Sequence, residues 1–159
     1  MLKSVKFKTN YRCFKEGTKF TFSSGLNFLV GDNGCGKSTL LELLINKQFE
    51  KREDILDCVV DNPSKIYLLD FERQNPRKSN RIEHAYEAAM LFISHGESNN
   101  HLISTIDKIE KGSIVLLDEP DMSLSIKSIG KLHKTLKKNA ITKQIICSVH
   151  NPLLISYVD

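Results

Sequence analysis

Eight consecutive residues, Gly31-Asp32-Asn33-Gly34-Cys35-Gly36-Lys37-Ser38, fit the spacing G-x-x-x-x-G-K-[ST], with Thr39 directly behind. Each residue type has a task in holding a polyphosphate. Glycines let the backbone wrap the anion, loop N–H groups and the start of a helix supply positive potential, and the lysine adds a full charge. On this reading Lys37 lies between the β- and γ-phosphates of a nucleotide and Ser38 places its hydroxyl on Mg²⁺. Asn33, Gly34, Cys35, Gly36 and Thr39 complete the nucleotide-binding set. A second group, Ile114-Val115-Leu116-Leu117-Asp118-Glu119, is an apolar run that ends in two carboxylates. Asp118 is the natural Mg²⁺ partner of Ser38, and Glu119, facing another direction, is placed to polarise an attacking water. A third run, Gln144-Ile145-Ile146-Cys147-Ser148-Val149, delivers His150, for which contact with a γ-phosphate is expected.

These groups need elements that bring them to one edge. Leu26 to Val30 reads as a buried strand and Thr39 to Ile45 as a strong helix, so the glycine loop has a strand before it and a helix after it. Ile66 to Phe71, the run ending in Asp118 and the run before His150 read as further core strands. Val5 to Phe7 and Lys19 to Phe22, turning at Glu16-Gly17, predict an antiparallel flap. Helical spacing predicts helices over 82–93, about 98–109 and 125–138, the last two with Leu102, Ile106, Ile109 and Ile129, Leu132, Leu136 turned inward. Lys127, Lys131, Lys134 and Lys138 share the opposite face of the last helix, which reads as a solvated surface or as a contact for a nucleic-acid backbone. Strands alternating with helices predict an α/β fold with a mainly parallel sheet, and residues 1–159 are of a size for one domain.

Composition narrows the class. At 40% hydrophobic and 26% charged residues the chain is neither a disordered tail nor a fibre, and a net charge of +4 permits a polyanionic partner without requiring one. No apolar stretch approaches the ~18 residues a bilayer span needs, and no apolar signal region opens the chain, so the expectation is a cytoplasmic protein with no membrane partner. Cys13, Cys35, Cys58 and Cys147 are too widely and irregularly spaced for a zinc site or a disulfide framework.

Taken together, the motifs resemble the ABC ATPase superfamily, and within it the RecF-like and chromosome-maintenance branch of compact, stand-alone ATP-binding proteins. Gly31 to Ser38 looks like the Walker A motif, Ile114 to Glu119 like Walker B with Glu119 as catalytic glutamate, and His150 like the switch histidine. Asn10-Tyr11-Arg12-Cys13-Phe14 is similar to the Asn-Phe-Arg-Ser-Phe element of that branch, which implies that Arg12 approaches bound nucleotide. Ser94-His95-Gly96-Glu97 resembles the ABC signature, implying that Ser94 and Gly96 bind the γ-phosphate of a nucleotide held by another protomer; on its own the tetrapeptide reads equally as a helix-capping turn. Gln74 resembles the glutamine that touches Mg²⁺ and water, though a Gln before Asn-Pro also suits a polar turn. Asp121 to Ser125 fills the place of the D-loop without the usual Leu-Asp ending.

The resemblance implies a P-loop NTPase of ABC type with ATP and Mg²⁺ as cofactors, catalytic roles for Glu119, His150 and Lys37, and ATP-dependent head-to-tail homodimerisation. Only residues 75–93 lie between Gln74 and Ser94, which leaves a minimal helical lobe and no room for a transporter's coupling subdomain or a long coiled coil. The expected role is a switch acting on nucleic acid or on a partner protein such as a nuclease or effector. The alternatives are the ATP-binding subunit of an ABC transporter, an ATP-holding module that turns over poorly, and a small-molecule kinase.

Overall fold

The computed structural model describes residues 1–48, 54–61, 64–71, 103–122 and 124–156. Among them are seven strands: β1 (Leu2–Phe7), β2 (Lys19–Thr21), β3 (Leu26–Leu29), β4 (Leu56–Val60), β5 (Ile66–Asp70), β6 (Ile114–Asp118) and β7 (Gln144–Ser148). Three α-helices accompany them: α1 (Lys37–Gln48), α2 (Ile126–Ala140) and the short α3 (Pro152–Ser156). β3-β7-β6-β5 form an all-parallel sheet, and β2-β1-β4 form an antiparallel one beside it. The mainly parallel α/β core and the N-terminal antiparallel flap are therefore present. No helix of the described residues is long and apolar enough to cross a membrane.

Both faces of the parallel sheet are covered, which is why its strands are apolar along their length instead of alternating. Along β6, Ile114 and Leu116 join α1's Leu40, Leu41 and Leu44 and the flap's Val5, Phe7 and Leu56 on one side. Val115 and Leu117 face Ile129, Leu132 and Leu136 of α2 on the other. α2 begins where Ser125 caps it, the serine Oγ accepting from the Ser128 amide. Lys127, Lys131, Lys134 and Lys138 all lie on its exposed face, and Lys138 pairs with Asp107 at 3.2 Å. Burial, with Asp121 and Asp118 nearby, pushes the Cys147 thiol well above its usual range and keeps it protonated and inert.

Two features depart from the sequence reading, and a third expectation falls outside the described residues. β4 is a flap strand that the pattern did not reveal, because Val59 and Val60 are exposed and only its first residue is buried. The helix expected over 98–109 ends within the described residues as a 3₁₀ turn, Ile106–Lys108, with Ile106 buried as predicted. The predicted helix over 82–93, and with it Gln74, Ser94 and Gly96, lies outside the described residues.

Flap and parallel sheet are joined by one side chain. Gln144, fully buried at the start of β7, accepts from the Leu2 amide at 2.8 Å and donates to the carbonyl oxygens of Leu2 and Ser23, each at 2.7 Å. Gln144→Ala removes the partner of two buried backbone groups on Leu2 at ~1–3 kcal/mol each, with water able to reach the part-buried Ser23 carbonyl, so the unfolding free energy should fall by about 2–6 kcal/mol. The chain has no tryptophan, so urea unfolding followed by circular dichroism is the suitable measurement. A loss below about 0.5 kcal/mol, the usual range for inconsequential surface changes, would contradict this joining role.

Candidate functional site

Register puts the chemistry on one edge. Leu29 pairs with Ser148, Leu117 with Cys147, and Asp70 with Asp118, so the four parallel strands end nearly level at their C-terminal side. From that edge β3 leads into the glycine loop, β6 into Glu119 and β7 into His150. A cleft of about 370 Å³ opens there, lined by Asn33, Gly34, Gly36, Lys37, Ser38 and Thr39 on one wall and by Glu119, Met122 and His150 on the other.

The loop wall is shaped by what lies behind it. Gly36 has a φ of +105°, and a Cβ there would sit 2.4 Å from the Cys13 sulfur and 2.7 Å from the Phe14 ring. Both the backbone conformation and the packing therefore demand glycine. Phe14 is fixed in turn by stacking on Phe7 at 4.4 Å and by an edge contact with Phe20, while the Cys13 thiol donates to the Cys35 carbonyl at 3.2 Å. The flap thus braces the loop from behind.

Lys37 is only 9% exposed, and its Nζ donates to the carbonyl oxygens of Gly31 (2.8 Å) and Asp32 (3.1 Å). No carboxylate pairs with it among the described residues. A largely buried ammonium held only by carbonyls is an uncompensated charge, and an anion in the adjoining cleft is what would neutralise it. The residues therefore fit a polyphosphate.

Behind the cleft lining, at the end of β6, Asp118 Oδ1 accepts from two hydroxyls, Ser38 Oγ at 3.1 Å and Ser148 Oγ at 2.6 Å. The expected pairing of Ser38 with Asp118 is present across the strand edge, an oxygen-only donor set of the kind Mg²⁺ takes. Ser148, fully buried, also accepts from the Glu119 amide at 2.9 Å. Sequence reasoning missed Ser148; its signal was a hydroxyl within an otherwise apolar buried run, two residues before His150. Glu119 itself sits at φ +52°, in the left-handed region where a non-glycine residue is strained. That turn carries its carboxylate to His150, with Oε1 2.7 Å from Nε2. The two groups assigned separate tasks from sequence are in direct contact.

Two predicted residues are not among those lining the cleft. Arg12 reaches Thr39 Oγ1 at 3.1 Å, outside the cleft lining, and lies 4.0 Å from Glu42. Cys35 is on the loop, but its side chain lines an adjoining apolar pocket with Phe14, Phe20 and Leu40. The Cys35 amide donates to the Asp32 carbonyl at 3.2 Å, and its carbonyl accepts from the Cys13 thiol.

A glycine loop between a parallel strand and a helix, set against an acidic strand end on β6, which is separated from β3 by β7, defines a P-loop NTPase. The family model described as AAA ATPase domain matches residues 1–111, and the chain belongs to that family. Among known proteins it is similar to elongation factor 3 of Pneumocystis carinii, 29% identical over 150 residues, which cover 82% of this chain and 14% of the relative. It is also similar to the ATP-binding protein Uup of Buchnera aphidicola subsp. Schizaphis graminum, 30% identical over 136 residues, which cover 69% of this chain and 23% of the relative. The chain thus spans less than a quarter of the length of either relative. Its fold is that of the ABC ATPases. The SMC head domain from Thermotoga maritima superposes with a TM-score of 0.66 at 15% identity, covering 99% of this chain and 92% of that one. A dimeric ATP-binding cassette in a post-hydrolysis state with ADP and Pi superposes at 0.60 and 16% identity, covering 96% and 88%.

Lys37→Ala removes the one full positive charge that lines the cleft among the described residues. Charge-assisted hydrogen bonds contribute about 1.5–3 kcal/mol, so ATP affinity measured by calorimetric titration should fall roughly tenfold to a hundredfold. Undiminished affinity would contradict the assignment of the loop.

Proposed function

We propose that this domain binds ATP with Mg²⁺ and hydrolyses the terminal phosphate within a head-to-tail pair of chains, the cycle of pairing and release acting as a switch for nucleic acid or for a partner such as a nuclease or effector. The observation that carries this reading is the 2.7 Å contact between Glu119 and His150 across from the Lys37 loop. Family membership and the ABC fold support it.

In this reading the loop amides and Lys37 hold the β- and γ-phosphates, while Ser38 and Asp118 hold Mg²⁺, which when bound neutralises charge building on the phosphate oxygens. The Glu119 carboxylate orients the attacking water and accepts its proton as oxygen bonds to phosphorus and the bridge to ADP breaks. His150, bonded to Glu119 through Nε2, fixes the carboxylate's direction and presents its ring at the mouth of the cleft. The resemblance assigns Ser94 and Gly96 of a second protomer to the γ-phosphate of the nucleotide held in this cleft. ATP then contributes to the interface, and its stabilisation of the pair follows mass action.

Glu119→Gln keeps the size of the side chain and removes the base. With Mg·ATP, this variant should double its mass in light scattering and remain paired, and adding Ser94→Arg should return it to the monomer by placing bulk and charge at the seam. A Glu119→Gln protein that stays monomeric at saturating ATP would contradict the paired mechanism.

A further inference from the structure

β6 and β7 carry the two reacting-side groups, and each strand end is tied to the other by a side chain bonded to backbone. Ser148 on β7 takes the amide of Glu119 after β6. The reverse tie comes from Asp121, two residues beyond Glu119 on the β6 side. Its Oδ2 accepts from the amides of His150 (2.9 Å) and Asn151 (2.5 Å), the residues that follow β7.

The position of this carboxylate is unusual in two ways. The last sheet bond of β7 to β3 is the Val149 amide to the Leu29 carbonyl, so the ladder ends one residue before His150 and the next two amides would otherwise have no acceptor in the sheet. Asp121 supplies one, and Asn151 continues the chain by accepting from the Leu153 amide with its own Oδ1, starting α3. Asp121 is also only 4% exposed, and its other oxygen, Oδ1, is buried with no hydrogen-bond partner. A half-satisfied buried carboxylate is costly, which argues that what it holds matters more than the local energy it loses. The sequence between Glu119 and Asp121 is held tight by Pro120, which is buried, and by the turn bond from the Met122 amide to the Glu119 carbonyl. A displacement of Asp121 is thereby a displacement of His150 relative to Glu119.

We infer that Asp121 is a positioning residue for the hydrolytic step: through the two amides after β7 it sets the His150 ring against the Glu119 carboxylate. This rests on the reading that Glu119 and His150 serve hydrolysis, and the ring contact can be tested apart from that reading. Asp121 touches neither nucleotide nor metal in this account, so its loss should act on kcat and not on ATP affinity.

The test uses the full chain labelled with ¹⁵N and ¹³C, with the His150 ring signals assigned from the His150→Gln spectrum. In the wild type, Glu119→Gln should shift the His150 ring nitrogen signals, because the two groups are in contact. In an Asp121→Ala background that response should be lost, and in Asp121→Asn, which retains an acceptor oxygen, it should remain. Mg·ATP turnover should fall about tenfold or more in Asp121→Ala, as for other groups that orient a functional side chain, with KM within about threefold, and Asp121→Asn should recover to within about threefold of wild type. If Asp121→Ala does not fold, Asp121→Ser, whose hydroxyl stops short of the Oδ2 position, takes its place with the same expectations. An undiminished ring response without the carboxylate, a loss of ATP affinity equal to the loss of kcat, or an Asn variant no better than Ala would overturn the inference. A wild-type chain with no turnover would overturn the proposed function instead, and the ring response would still decide the role of Asp121.

Discussion

A single carboxylate oxygen organises this site. Asp118 Oδ1 takes a hydroxyl from the loop that follows β3, through Ser38, and a hydroxyl from β7, through Ser148. That sharing is possible only because the central strands are parallel and end level, with Leu117 opposite Cys147 and Leu29 opposite Ser148. A slip of one residue would turn Asp118 to the opposite face and separate it from both serines. The loop, the acidic strand end and the histidine therefore occupy one edge as a consequence of register, in the crevice where open α/β sheets bind ligands.

The edge carries local costs that the core has to offset. Glu119 is held at positive φ, Lys37 is a buried ammonium without a carboxylate partner among the described residues, and Asp121 has one unsatisfied oxygen. Backbone strain of the Glu119 kind costs on the order of 1–3 kcal/mol, and a poorly compensated buried charge costs more. Against them stand fully buried Leu40, Leu41, Leu116, Leu117, Leu132 and Leu136 in the layers on the two sheet faces, each contributing about 1.5–3 kcal/mol relative to exposure. The flap adds a specific restraint, since Cys13 and Phe14 fill the space a side chain at position 36 would need.

Sequence alone made the local parts of this arrangement legible. The glycine loop, the apolar runs of β3, β6 and β7, and the inward face of α2 are patterns within one element, and each corresponds to an observed strand, loop or helix face. Ser148, Gln144 and the side chain of Asp121 were not legible, because their roles depend on partners about 30 to more than 100 residues away in the chain, and polar letters in a buried run do not say what they will meet. β4 escaped for a different reason: a flap strand with solvent on its far half lacks the apolar run or clean alternation that marks a strand. At Arg12 and Cys35 the side chains take their direction from residues that the motif does not include. Arg12 bonds the Thr39 hydroxyl, and the Cys35 side chain lies in a pocket with Phe14.

The central claim is that Asp118 links the loop to a metal-dependent nucleotide site. The most direct measurement is calorimetric titration of ATP with Mg²⁺ and with EDTA, for the wild type and for Asp118→Asn, a substitution of nearly equal size that removes only the charge. The account predicts that Mg²⁺ tightens ATP binding to the wild type by about tenfold or more, the scale of a charge-assisted contact, and that this dependence disappears in Asp118→Asn while metal-free affinity is retained. An equal Mg²⁺ dependence in both proteins would contradict it.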